Sequence, residues 1–420
     1  MIKKLVALFE QLFGQRLSGG GQPADAPATP QAAPAEPAAQ SVAQAWVAEW
    51  DRQQQQRAAQ RAERQRQAWA RDRSYFGEET WGVSRRHRAA VTDEGRLARY
   101  GLPLLRSEAE LAEWLEISRE RLRWFTQDRP ADRVWHYVRH ARPKRSGGER
   151  VILAPKRELK ALQRRVLHDL LDRVPPTEAA HGFRPGRSTA TNAQPHTGQQ
   201  VLVNLDLKDF FPSITYPRVR GILVGLGYSY AVAATLALLC TEHDRVAYDR
   251  DDGRYYISVT PRALPQGAPT SPALANLAAA RLDRRLGGLA AARGWAYTRY
   301  ADDLTFSGGD PAAVGRLIAA VKKIVAAEDF VVHPDKIHVA RRSGRQEVTG
   351  LVVNDAVGTP RRLRRQLRAI LHNAGQTGLA AQNREGRADF RAYLAGMIGH
   401  ISAANAAHGE RLRAALRELR

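Results

Sequence analysis

RYADDLTF (Arg299–Phe306) decides how this chain folds. Tyr297 to Tyr300 are strand-forming residues, and Leu304, Thr305 and Phe306 resume that character after two adjacent carboxylates. The pattern predicts a hairpin with Asp302 and Asp303 at its tip. Two carboxylates about 4 Å apart repel by roughly 4 kcal/mol at an effective dielectric near 20. Holding them together calls for a proton, a cation or open solvent, and Mg²⁺ is a common partner of clustered carboxylates. By itself the pair reads equally well as a solvated Asp-Asp turn.

A third acid shifts that balance. VLVNLDLKDFFPSI (Val201–Ile214) reads as an apolar strand with Asp206 embedded in it. Alternation puts Asn204, Asp206 and Lys208 on one face and Leu205 and Leu207 on the other. An isolated ionised carboxylate is costly to desolvate, so Asp206 needs a partner. Facing Asp302, it would complete the two-metal arrangement used for in-line phosphoryl transfer.

Five blocks then occur in order: HGFRPGRS (181–188), NLDLKDFFPSI (204–214), LPQGAPTSPALANL (264–277), YADD (300–303) and VTGLVVN (348–354). Together they resemble the bacterial reverse transcriptases, and more narrowly the retron reverse transcriptases, over residues 100 to 420. The resemblance implies an α+β right-hand polymerase with fingers, an antiparallel palm sheet and a helical thumb. The fingers would span 101–200, the palm 201–355 (with 215–262 partly fingers) and the thumb 356–420. It implies that Asp206, Leu207, Asp302 and Asp303 hold two Mg²⁺ ions, with Mn²⁺ able to replace them in vitro. Lys144, Arg150 and Gln266 would meet the incoming nucleotide. Phe211 falls where the family places its sugar-gating aromatic, and its alternative is a plain core phenylalanine.

Other residues are implied to meet RNA. Asn192-Ala193-Gln194-Pro195-His196 matches the retron Asn-Ala-x-x-His signature, and Val348-Thr349-Gly350 matches its Val-Thr-Gly block. Arg184 and Arg187, on a loop shaped by Gly182, Pro185 and Gly186, suit a phosphate backbone or template. In PRRLRRQLRAILHNAG, Arg361, Arg364, Arg365 and Arg368 flank an apolar seam of Leu363, Leu367 and Leu371, as expected of a thumb helix. Lys336 is a candidate proton donor to pyrophosphate, or a simple backbone contact. The family's partners are a cognate non-coding RNA serving as template and primer, the nascent DNA, dNTPs and a separate effector in phage defence. Its product is a branched RNA–DNA molecule begun from a guanosine 2′-OH. Alternatives are another bacterial class (group II intron-like, diversity-generating or abortive-infection) or a non-catalytic RNA-binding scaffold.

Composition agrees. The 420 residues carry a formal net charge of +22, which suits a polyanionic partner. Cys240 is the only cysteine, excluding an internal disulfide and a cysteine-based zinc site, and a reducing cytoplasm fits. Residues 1–17 read as an amphipathic helix, 18–40 as an Ala/Pro linker and 41–100 as a basic helical extension. GILVGLGYSYAVAATLALLC (Gly221–Cys240) is of membrane-spanning length but is broken by Gly225, Gly227 and Ser229. It is read as two buried helices, so no transmembrane segment is expected.

Overall fold

The computed structural model describes Arg52 and residues 91–143 and 149–419. The expectations for 1–17, 18–40, most of 41–100 and Lys144 lie outside the described residues.

In chain order, the opening helices are α1 (Glu94–Arg99), α2 (Glu108–Trp114) and α3 (Arg119–Thr126). The apolar spacing of Leu111, Leu115, Ile117 and Leu122 suggests one helix, but two form. Ser107 caps the first by accepting from Glu110 N at 3.1 Å. Glu116 then enters the left-handed region at φ 59°, and Ser118 caps the second by accepting from Arg121 N. A new cap and a left-handed residue end one helix and restart another, whatever the periodicity.

Next come β1 (Ala131–Asp132), β2 (Tyr137–Pro143), β3 (Glu149–Pro155), α4 (Arg157–Asp169), α5 (Thr189–Ala193), β4 (Val201–Asp206) and α6 (Phe210–Ser213). β2 and β3 form an antiparallel hairpin. The uncharged stretch folds as α7 (Tyr216–Leu226) and α8 (Tyr230–Cys240), separated by Gly227 at φ 123°. No described helix is long and apolar enough to cross a membrane. After β5 (Arg245–Arg250) and β6 (Gly253–Ser258), LPQGAPTSPALANLAAARLDRRL (264–286), which reads as one long helix opening near Ser271-Pro272, forms α9 (Ser271–Ala278) and α10 (Ala280–Ala291), divided at Ala279.

The rest is β7 (Ala296–Tyr300), β8 (Asp303–Gly308), α11 (Val314–Ala327), β9 (His338–Arg341), β10 (Glu347–Val348) and β11 (Leu351–Val352). The helices α12 (Arg361–Thr377), α13 (Leu379–Gln382), α14 (Phe390–Ala404) and α15 (Ala406–Glu418) follow. One four-stranded antiparallel sheet, ordered β7-β8-β4-β9, organises the middle of the chain. By sequence, HPDKIHVARRSGRQEVTGLVVN (333–354) reads as two strands around a Ser343-Gly344 turn. Instead β9 joins this sheet beside β4, while β10 pairs with β11 across Thr349-Gly350.

β4 is buried on both faces. Val201, Val203, Leu205 and Leu207 enter the main core, while Leu202 packs with Ala193, Ala340, Val348, Leu351 and Val353. The face carrying Leu202 also carries Asn204 and Asp206, so the apolar support of the β10–β11 hairpin leads directly to the acids. The C-terminal helices have a core of their own, built on Leu367, Leu371, Leu394, Ile398, Ile401, Leu412 and Leu416.

Candidate active site

Strand register brings the acids together. Asp206, the last residue of β4, lies opposite Asp303, the first of β8, and Asp302 occupies the turn that joins β7 to β8. Leu207 N donates to Asp302 O at 3.0 Å, and His333 N donates to Asp206 O at 2.7 Å, so the backbone is held around the acids. Burial raises the Asp303 carboxyl to about 6, with the Asp302 and Asp206 charges adding to the rise. Burial also raises Asp302, again helped by Asp206 and opposed by Lys336 and Arg150. The three carboxylates therefore share one field.

Among the described residues, no group of three His, Cys, Asp or Glu stands ready as a closed metal cage. Asp206 instead accepts from Lys336 Nζ at 3.0 Å. The donor set still fits a hard divalent cation: the end of β4 brings Asp206 beside Asp302 and Asp303 of the β7–β8 turn, and their repulsion is what such a cation relieves. Leu207 has an apolar side chain that is 1% exposed, so only its backbone carbonyl is a possible ligand.

The incoming-nucleotide candidates surround this point. Arg150 is exposed on β3 and close enough to stabilise the Asp302 anion. Gln266 accepts from Leu153 N at 2.8 Å through its backbone carbonyl, tying the β2–β3 hairpin to the Gln266-Gly267 turn. Phe211 is half-buried, with ring centroids 5.8 Å from Phe210 and 6.0 Å from Phe183. A cleft of about 390 Å³ is lined by Asp303, Asn204, His338, Glu347, Thr349 and Gly350. Asn204 Nδ2 donates to Glu347 O at 2.9 Å across it. Gly350 is exposed at φ 83°, and Thr349 turns at φ 47°.

Several RNA-contact expectations need correction. Asn192 and His196 are both 0% exposed, so neither offers a surface to RNA. His196 Nδ1 meets Ser307 Oγ at 2.7 Å and Nε2 meets Thr298 Oγ1 at 2.8 Å, bridging β7 and β8. Val348 is likewise core, at 1% exposed. Arg184 and Arg187 are not presented freely: both pair with Glu178, and Arg184 also donates to Thr177 O at 3.1 Å. Arg361, Arg365 and Arg368 are exposed on α12, whereas Arg364 is half-buried.

Sequence reasoning missed Asp283 and the role of Arg299. Both side chains are 0% exposed, and the guanidinium grips the carboxylate through two 2.8 Å hydrogen bonds. The available signal was an acid on the apolar stripe of α10, between Ala279, Leu282 and Leu286.

Residues 142–354 match the family model described as "Reverse transcriptase (RNA-dependent DNA polymerase)". The retron Mx65 reverse transcriptase of Myxococcus xanthus is 49% identical over 329 residues, covering 78% of this chain and 75% of that protein. The retron Mx162 reverse transcriptase of the same organism is 44% identical over 346 residues, covering 78% and 70%. Among solved structures, telomerase from Candida albicans in complex with a TWJ fragment of telomeric RNA aligns at 12% identity and a TM-score of 0.42, covering 73% of this chain and 65% of that one. By this identity, this coverage and the family model matched, the chain belongs to the retron reverse transcriptases and is an RNA-directed DNA polymerase.

Proposed function

We propose that this enzyme copies part of a cognate structured non-coding RNA into DNA, starting from a 2′-OH within that RNA to give a branched RNA–DNA product. Asp206, Asp302 and Asp303 are the catalytic acids. The observation that carries this is the register placing Asp206 opposite Asp303, with Asp302 next to it. Bound Mg²⁺, or Mn²⁺ in vitro, would supply activation of the attacking hydroxyl and neutralisation of the leaving pyrophosphate. Those three carboxylates and the Leu207 carbonyl would hold it.

The chain's own residues do the rest. Arg150 faces the negative oxygens of the triphosphate from β3, a role the resemblance also gives Lys144. Gln266 and Phe211 bound the nucleotide, the ring excluding a 2′-hydroxyl by shape. Thr349 and Gly350 present backbone to the primer end across the cleft they share with Asp303. Exposed Arg361, Arg365 and Arg368 meet the phosphates of the duplex. Fingers, palm and thumb correspond to 101–200, 201–355 and 356–420. The setting is the cytoplasm, with a separate effector protein in antiphage defence.

Primer extension on an RNA template tests the catalytic assignment. Asp302→Asn combined with Asp303→Asn is expected to lower the rate by about a thousandfold or more. Near-wild-type extension would refute it. Sequencing the nucleic acid that copurifies with the protein tests the product: a 2′,5′-branched hybrid is expected, and purely linear DNA would count against retron priming.

A further inference from the structure

Ala301 precedes Asp302 and Asp303, two of the three acids assigned above, and adopts φ 57°, a left-handed conformation that L-residues leave readily. Its peptide is held from both sides. On the amide side, Gly182 lies so close that a Cβ there would sit 2.7 Å from Ala301 N. On the carbonyl side, Arg299 Nη1 donates to Ala301 O at 3.0 Å. The same Nη1 donates to Asn276 Oδ1 at 3.0 Å, and Asn276 Nδ2 donates to Gly182 O at 2.9 Å, closing a ring around the turn. Asp283 anchors the guanidinium from α10 and also accepts from Tyr297 Oη at 2.9 Å.

A fully buried ion pair costs desolvation that its attraction barely repays, so stability alone is a weak reason to build one beneath a hairpin. Position is a better one. Neighbouring carboxylates push apart, and the backbone beneath them would relax if nothing opposed the push. We propose that the Asp283–Arg299–Asn276 relay is a positioning device: it locks Ala301 in its left-handed conformation and thereby fixes where the Asp302 and Asp303 carboxylates stand for divalent-cation binding. The inference rests on those acids being the catalytic set.

The test uses the full-length protein in three variants. Asn276→Ala breaks the link to Gly182 and leaves the ion pair intact. Arg299→Lys keeps the charge but loses the fork that reaches Asp283, Asn276 and Ala301 together. Leu236→Ala, fully buried in α8 and outside the hydrogen-bonded relay, is the control for general destabilisation. Electron paramagnetic resonance of free Mn²⁺ reports ion binding directly, and primer extension reports kcat and the KM for dNTP. Both relay variants are expected to bind Mn²⁺ about tenfold more weakly and to lose about 10- to 100-fold in kcat, with the KM for dNTP nearly unchanged. Leu236→Ala should lose melting temperature while its folded fraction binds Mn²⁺ as wild type does. Should Arg299→Lys fail to fold, Asn276→Ala decides alone. Wild-type Mn²⁺ binding and kcat in Asn276→Ala would overturn the relay. If Asp302→Asn with Asp303→Asn is inactive in that case, the catalytic assignment stands and only this inference falls.

Discussion

His196 is held between Thr298 and Ser307, and burial, with a smaller push from the His181 charge, lowers its imidazole to about 3. The unfolded chain binds a proton near pH 6.5, whereas the folded chain does not until about pH 3. Between those values the unfolded state carries more protons, so this residue's contribution is complete above pH 6.5 and falls with acidification. At pH 5 the loss reaches about 2 kcal/mol. His196→Gln should therefore melt below wild type at pH 7.5, and the gap should narrow by pH 5; parallel melting curves across that range would contradict the assignment. Motif membership could not reveal this, because an Asn-Ala-x-x-His pattern looks the same whether its histidine meets RNA or a strand pair. Phe211 makes a second residue-scale prediction. Phe211→Val should raise ribonucleotide incorporation by roughly 10- to 100-fold in extension assays, with an unchanged sugar preference as the contrary result.

Between elements, the decisive joints are places where backbone meets backbone. The Gln266-Gly267 turn takes a hydrogen bond from Leu153 N, and Gly267 has φ 126° with room for no Cβ, since one would lie 2.7 Å from Leu153 O. Gly267→Ala must strain the turn or push β3 away. A loss of about 1–3 kcal/mol is expected in chemical denaturation, with a raised KM for dNTP because Arg150 rides on β3. Unchanged stability and KM would show that the hairpin position is set elsewhere. The β7–β8 hairpin was legible because strand-forming residues flank a two-acid turn. The α2–α3 break was not, since Leu111, Leu115, Ile117 and Leu122 satisfy helical spacing while Glu116 and Ser118 decide the chain path. The β10–β11 pairing was hidden for a similar reason: two strands of two residues carry too little alternation to choose a partner.

Over the whole molecule, the net charge of +22 has a face on which to act. Exposed Arg361, Arg365 and Arg368 line α12, whose other side is seated on Leu367 and Leu371. Replacing the three with Gln should leave the melting temperature nearly unchanged. It should flatten the slope of log affinity for an RNA–DNA duplex against log salt by roughly 2 to 3. An unaltered slope in a filter-binding titration would remove α12 from the nucleic-acid surface. Residue type and short-range periodicity by themselves put the three acids on a strand and a turn, and the order of blocks around them carried the resemblance that implied their chemistry. Its place between two of the blocks also made Gly221–Cys240 readable as two helices, which the structure divides at Gly227. Only the tertiary structure decided which side chains face the cleft and which are sealed behind it. Asn192, His196 and Val348 went to the interior, Arg184 and Arg187 to Glu178, and Asp283 to Arg299 beneath the acids. His196 depends on partners 102 and 111 residues away and Asp283 on one 16 away, and even the nearer Glu178 reaches Arg184 and Arg187 only through the folded loop; burial and ion pairing are settled by such neighbours in space, which local sequence does not encode.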